Sequence, residues 1–102
     1  MTQNLLMRVE KSVGLTGLGI LLLAQHTTPL LDSFELYTQW RVQLAFPDGS
    51  SIEAMAGVEE ISRPTETGEA TIPVRALLLA QEDVEAVPAG TQVYLLTPAA
   101  NF

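Results

Sequence analysis

The sequence predicts an all-β domain, folded as a small barrel of six to seven strands that is closed or nearly closed. Three observations lead to this fold class. Apolar and polar residues alternate over short segments, turn signals recur about every 8–12 residues, and no long segment has helical apolar spacing. A chain of 102 residues, 47% apolar, can bury one core. We therefore expect a single domain over residues 1–102, with its core at residues 5–97.

The N-terminal quarter predicts two strands joined by a glycine-rich turn. Leu5–Lys11 forms the first strand, a turn occupies Val13–Gly17, and the continuously apolar segment Leu18–Gln25 forms a second strand covered on both faces. The cluster Thr16-Gly17-Leu18-Gly19 is interpreted as part of a turn and not as a phosphate-binding loop, because no helical pattern follows it.

The centre of the chain predicts a β-hairpin. The region Phe34–Phe46 has an apolar period of two from Trp40 onward, which is typical of a strand with one face in the core. Pro47-Asp48-Gly49 combines a fixed φ, a backbone-bonding carboxylate and a left-handed glycine, so it predicts the turn into Ser51–Ala56. Ala56-Gly57 then predicts a bulge or bend before a strand at Val58–Ile61.

A polar loop and a long apolar strand follow. Segment 62–70 contains Pro and Gly without any periodicity, so it is expected to be a mobile surface loop. Thr71–Ala80 is predicted to be a strand, in which Pro73 marks an edge position or the beginning of the strand.

The C-terminal residues predict one closing strand. Gln81–Val87 is an acidic connection from which Val84 and Val87 can tuck into the core, and Pro88-Ala89-Gly90 is a turn. Thr91–Thr97 forms the last strand, and the tail at 98–102 is expected to be frayed.

The charge balance narrows the range of partners. Twelve Asp and Glu residues against five Lys and Arg residues give a net charge of -7. A nucleic-acid surface needs clustered cations, whereas the five here are scattered along the chain: Arg8, Lys11, Arg41, Arg63 and Arg75. A nucleic-acid partner is therefore doubtful, and an acidic membrane surface is disfavoured for the same reason. The chain has no cysteine, which excludes disulfides and thiolate chemistry.

The apolar run Val13–Ala24 superficially resembles a signal peptide. Glu10 lies in what would be the basic region, glycines interrupt the run, and no small-x-small cleavage site follows it. The run is also too short to span a bilayer, which takes about 20 residues. A cytoplasmic protein is expected, and a small secreted or periplasmic domain is the alternative.

Few residues suggest chemistry. His26 is the single histidine, and since no partners for a triad or a metal site lie near it, it is expected to be an exposed loop residue. Glu59 and Glu60 adjoin on a strand and should point to opposite faces, while Glu82-Asp83-Glu85 lacks the spacing of a calcium loop. No catalytic, cofactor-binding or metal-binding residue is predicted, and enzyme activity is not expected.

One aromatic cluster suggests a binding hot spot. Trp40 adjoins Arg41, and Tyr37 is close to both. Alternation along the strand places Trp40 in the core, which favours a packing role. Arg41 and Arg75 should face outward or pair with carboxylates.

Several segments, taken in order, resemble the second domain of translational GTPases such as elongation factor Tu. Leu6–Ile20 resembles its opening, in which a strand with a Val-Glu pair leads to a Gly-x-Gly turn and a second strand. Further segments resemble its central strand, its apolar strand with an acidic connection, and the glycine turn into its closing strand: Gly57-Val58-Glu59, Val74–Val84 and Pro88–Val93. The resemblance covers residues 5–97.

This resemblance implies a six-stranded barrel that helps to hold aminoacyl-RNA, ribosomal RNA or a neighbouring GTPase domain. Leu18 departs from the pattern, because a basic residue is common there, and the usual Gly-Asp before the third strand is replaced by Asp32-Ser33-Phe34. No P-loop is present, so nucleotide hydrolysis is not implied. We expect a stand-alone, non-catalytic binding module whose partner is a protein: a GTPase, a ribosome-associated factor or a copy of itself. A ribosome- or RNA-associated accessory factor is the alternative.

Overall fold

The computed structural model describes residues 4–24, 26–65, 67–80 and 87–96. Its elements in chain order are β1 (Leu5–Arg8), β2 (Lys11–Leu15), β3 (Gly19–Leu23), α1 (Pro29–Asp32), β4 (Gln39–Ala45), β5 (Ser51–Pro64), β6 (Thr71–Leu79) and β7 (Gln92–Leu95).

All seven strands belong to one antiparallel sheet in the order β1-β7-β4-β5-β6-β3-β2, which confirms the predicted all-β class. The sheet is not closed, so a closed barrel is not found. Its two edge strands, β1 and β2, are consecutive in the chain. Between Val9 and Glu10 the chain changes the strand to which it hydrogen-bonds. The Val9 amide donates to the carbonyl of Thr91 beside β7, whereas the Glu10 amide donates to Leu23 in β3. One chain segment therefore supplies both edges, and the two halves of that segment cannot pair with each other.

The core lies on one face of the sheet. Alternate residues of β3, β4 and β5 point into it, which confirms the inward period predicted for Val42 and Leu44. Trp40 and Phe46 pack against the core while half-buried. The buried residues that make up this core are Leu6, Met7, Val9, Ile20, Leu22, Ala24, Leu31, Val42, Leu44, Ala54, Ala56, Val58, Leu77, Leu79, Val87 and Val93. Ala76 of β6 is also buried but lies outside this cluster.

The first strand is shorter than predicted and contains a bulge. Leu5 pairs with Tyr94 and Met7 with Val93, so one residue is inserted between these pairs. Such an insertion lets two neighbouring side chains face the same way, and Leu6 and Met7 are both fully buried. The strand ends at Arg8 because the following residues change partners.

The predicted turn at Val13–Gly17 begins too early. Val13 and Gly14 lie in β2 and pair with Leu21 and Ile20, and the turn occupies residues 16–18. Gly19 follows at φ 132°, in a conformation that favours glycine. The expectation that the second strand is covered on both faces is also wrong, because only one face of the sheet meets the core. Leu21 and Leu23 are half-buried.

A single helical turn, which was not predicted, precedes β4, and residues 34–38, which were predicted to be extended, are not part of the strand. Thr28 caps α1 by accepting a hydrogen bond from the Leu31 amide, and Pro29 occupies the first turn. The Thr28 hydroxyl also donates to the carbonyls of Leu5 and Leu6, which anchors the helix to β1. The strand itself begins only at Gln39.

The predicted β4–β5 hairpin is confirmed. Its turn has Gly49 at φ 95°, and the Asp48 carboxylate accepts from the amide and hydroxyl of Ser50 at 2.9 and 2.6 Å. The bulge predicted at Ala56-Gly57 is not present, because β5 keeps its register there. These two residues of β5 pair with both β4 and β6. The residues before them pair with β4 alone, and the residues after them pair with β6 alone.

The predicted loop 62–70 begins too early. Residues 62–64 belong to β5 and pair with residues 71–73 of β6. Pro73 fits this ladder because its pair with Ser62 is not hydrogen-bonded. Val58 bonds through its backbone to Tyr37 and Thr38, and hydrogen-bonding alternates along an antiparallel pair, so the backbone of Ser62 also points away from β6. Pro73 lies on the part of β6 that β3 does not pair with, in agreement with an edge position.

The last strand, β7, is shorter than the predicted Thr91–Thr97. Val87 is buried as predicted, and its backbone amide and carbonyl both bond to the Ser12 hydroxyl at 3.0 Å. Residues 81–86 and 97–102 lie outside the described residues, and so do Val84, the acidic cluster Glu82-Asp83-Glu85 and the tail.

Candidate interaction surface

A row of apolar side chains crosses the outer face of the sheet, opposite the core. Register places Val13 of β2 beside Leu21 of β3, Leu21 beside Leu78 of β6, and Leu78 beside Gly57 of β5. The chain neighbours of Leu21, Leu78 and Gly57 are buried, so these three residues face outward. Val13 faces outward with them, because directly paired residues share a face. Val13 is 40% exposed, and Leu21 and Leu78 are half-buried. We call these four residues the outer row.

A second row runs alongside the outer row and carries a charge at each end. Lys11 of β2 pairs with Leu23 of β3, and Ala76 of β6 pairs with Glu59 of β5. Continuing the β3–β6 register places Leu23 beside Ala76. Lys11 and Glu59 therefore lie at opposite ends of four adjacent strands. We call these four residues the charged row.

Gly57 leaves a notch in the outer row. A side chain there would meet nothing closer than 3.9 Å, and that nearest atom is the Glu59 Oε2 carboxylate oxygen. Glu59 is half-buried, and no hydrogen bond or ion pair of its carboxylate is formed within the described residues. The notch and the carboxylate therefore adjoin at the β5 end of both rows.

An internal ion pair bounds this surface on one side. Arg63 of β5 donates to the carbonyl of Ala24 at 2.6 Å, and its guanidinium lies 3.2 Å from the Glu10 carboxylate. Ala24 follows β3 and Glu10 precedes β2, while β6 lies between β5 and β3. The Arg63 side chain must therefore cross β6 to reach Ala24 and Glu10. It lies between the two rows and the exposed Ile72.

The other half of the outer face is polar. Arg41 and Gln43 of β4 point outward there, and on β7 the Tyr94 hydroxyl donates to Gln92 at 2.6 Å. The apolar character of the outer face is thus concentrated on β2, β3 and β6.

Tyr37 lies next to the β5 end of the surface in a strained conformation. Its φ is 67°, its side chain is 74% exposed, and its amide donates to the carbonyl of Val58 at 2.8 Å. A bulky residue with positive φ is a backbone outlier, and such strain is concentrated at functional positions. Met55, 40% exposed, lies on the same outer face of β5.

The predicted aromatic cluster is only partly brought together. Trp40 stacks on Phe34 with ring centroids 4.4 Å apart, and its Nε1 donates to the Thr38 hydroxyl, so it packs as expected. Arg41 points to the opposite face and is exposed. Arg75 pairs with Glu60 at 3.0 Å, as predicted for an arginine beside a carboxylate.

The remaining candidate residues do not converge on a chemical site. His26 is exposed, as predicted, beside a pocket of about 360 Å³ that Arg8 and Glu10 also line. Glu59 and Glu60 alternate along β5 and point to opposite faces. No group of three or more potential metal ligands occurs among the described residues.

Comparison of the chain with protein-family models, curated proteins and solved structures found no match. Within the residues that the structure describes, no helix is long and apolar enough to cross a membrane.

Sequence reasoning alone misses the outer row because its four members come from four separate strands. The sequence predicts a turn at Val13, a strand covered on both faces at Leu21, and a long apolar strand at Leu78 with no face assigned to that residue. Only the register of β2, β3 and β6 shows that the three side chains adjoin.

Proposed function

We propose that the chain is a non-catalytic binding module that engages a protein partner through the outer row and the charged row. The observation that carries this proposal is the apolar outer face of β2, β3 and β6, over which the described residues place no second layer. Contiguous apolar surface on a small domain is typical of protein interaction sites. The exposed Tyr37 at its border has the residue type enriched in binding hot spots.

We further propose that the module is related to the barrel domain of translational GTPases. Two features support this relationship. The segment from Leu5 to Leu15 can be counted as one strand that changes partners, which reduces seven strands to the six of that family. Gly19 at the start of β3 and Gly90 in the turn before β7 have positive φ, in agreement with the glycine positions on which the resemblance rests.

An RNA-binding role is less well supported. Two of the five cations, Arg63 and Arg75, are engaged in internal ion pairs. The other three lie on different strands: Arg8, Lys11 and Arg41. This distribution does not form the continuous basic surface that phosphate recognition needs.

A pull-down tests the proposal. Tagged wild-type chain, Val13→Asp and Gln43→Asp are used as baits in lysate of the source organism, with half of each sample treated with nuclease. Both substitutions add one negative charge to the outer face, but only Val13 lies in the outer row. We expect a protein, which can be the chain itself, to be retained by wild type and Gln43→Asp after nuclease and lost with Val13→Asp. Equal capture by all three baits, or loss of the bound proteins after nuclease, would contradict the proposal.

A further inference from the structure

We propose that the partner at this surface is a second copy of the chain, docked face to face about a two-fold axis parallel to the strands. This inference rests on the proposed function, since it uses the same surface. It follows from the order of residues along the two rows, which is complementary to itself when the surface is turned over.

The geometry of such an axis is simple. If the axis lies in the interface between β3 and β6, it exchanges β3 with β6 and β2 with β5, and it keeps each residue at its level along the strands. Leu21 of one copy then lies over Leu78 of the second copy, and Val13 lies over Gly57. Each contact occurs twice, as a two-fold interface requires.

The shapes at these positions are complementary. Val13 is the most exposed apolar side chain of the outer row, and Gly57 has no side chain to oppose it. A protruding valine therefore faces a notch, while two half-buried leucines, Leu21 and Leu78, face each other between the two notches. Packing of apolar side chains between two sheets in this way resembles the aligned packing of sandwich proteins.

The charges are complementary as well. Lys11 and Glu59 end the charged row, three strand spacings apart, which is about 14 Å at 4.8 Å per spacing. Exchange of β2 with β5 places Lys11 of each copy over Glu59 of the other. Each half-buried Glu59 carboxylate would then meet a cation that the described part of its own chain does not supply.

The expected dimer is weak. Four strands make a surface only about 19 Å wide, since the outermost side chains add to three spacings of about 4.8 Å. Interfaces at the small end of the known range belong to transient complexes. The net charge of -7 on each copy adds a repulsion that physiological salt screens over about 8 Å. We therefore expect a concentration-dependent equilibrium between monomer and dimer.

A charge-exchange experiment with the full chain tests this inference. Sedimentation velocity is measured over a concentration series for wild type, Lys11→Glu, Glu59→Lys and the double variant. Each single reversal turns two attractive contacts into two repulsive ones, so we expect the dimer dissociation constant to rise roughly tenfold or more. The double variant restores opposite charges across the axis. Its dimer dissociation constant should therefore return to within a few fold of the wild-type value.

Two variants provide matched controls. Arg41→Glu changes the net charge as Lys11→Glu does, and Glu53→Lys changes it as Glu59→Lys does, but both residues lie outside the two rows. We expect each control to dimerise within a few fold of wild type. Far-UV circular dichroism establishes that every variant is folded before it is compared.

The outcomes separate this inference from the proposed function. A wild-type chain that stays monomeric at millimolar concentration overturns the second copy. So does a dimer that responds equally to the reversals and to their controls, or one that the double variant does not restore. If the chain is monomeric while Val13→Asp still loses a protein from lysate, the proposed function stands and its partner is a different protein. If the chain is monomeric and Val13→Asp captures the same proteins from lysate as wild type does, both proposals are wrong.

Discussion

Gly19 should be the least replaceable glycine of the chain. A Cβ atom at this position would lie 1.8 Å from the backbone oxygen of Leu79 and 2.9 Å from its carbonyl carbon. The contact is made by backbone, so no side-chain rotation relieves it. Leu79 pairs with Ile20, and the clash therefore falls on the ladder that joins β3 to β6.

The cost of Gly19→Ala has two parts. Non-bonded atoms pack about 3.5 Å apart, so β3 and β6 would have to separate locally by roughly 1.7 Å, which sacrifices one or two backbone hydrogen bonds at about 1 kcal/mol each. The φ of 132° adds backbone strain of about 1–2 kcal/mol for any residue with a side chain. We expect the free energy of unfolding to fall by about 2–4 kcal/mol, the sum of these two parts.

Two other glycines separate these contributions. Gly17 has φ 81° and Gly14 has no positive φ, and at both positions the space that an alanine methyl group would occupy has no neighbouring atom within 4 Å. Gly17→Ala should therefore lose about 1–2 kcal/mol from strain alone, and Gly14→Ala should change by less than about 1 kcal/mol. Urea unfolding followed by Trp40 fluorescence measures all three. Equal losses for Gly17→Ala and Gly19→Ala would refute the steric argument.

Three further substitutions test other features. Tyr37→Asn should raise the free energy of unfolding by about 0.5–1 kcal/mol in urea titrations, because asparagine tolerates positive φ and the lost ring is largely exposed; a loss would mean that the ring packs. Arg75→Met should lower the free energy of unfolding by about 1–2 kcal/mol, seen as a lower melting temperature. The decrease should be smaller in 1 M salt, which screens the Glu60 ion pair, and a decrease independent of salt would contradict this. Hydrogen bonds from Ser50 lower the pKa of Asp48, so its charged form stabilises the fold above the ordinary value near 4, and that contribution disappears as the pH falls through the folded-state pKa. The stability difference between wild type and Asp48→Asn should therefore shrink in acid, and unfolding curves across a pH series would show a constant difference if the reasoning is wrong.

Local signals in the sequence predict the hairpins better than the ends of the strands. Pro47-Asp48-Gly49 specifies its turn through the residues themselves, and the structure forms that turn. In contrast, the end of β1 depends on where the chain exchanges one partner strand for another, and no residue type marks the exchange at Val9 and Glu10. The polar residues 62–64 are typical of a loop in composition, but pairing with β6 extends the strand through them. Tertiary pairing overrides composition at such places.

One wrong prediction bears directly on function. Continuously apolar strands are typical of sheets covered on both faces, and both Gly19–Leu23 and the run Leu77-Leu78-Leu79 have this pattern. The structure covers one face of these strands with the core and leaves Leu21 and Leu78 half-buried on the other. Core packing explains the inward residues of each run but gives no reason for the outward ones. A second layer supplied by another protein molecule would explain both, and it would make the sequence pattern correct for the assembled state.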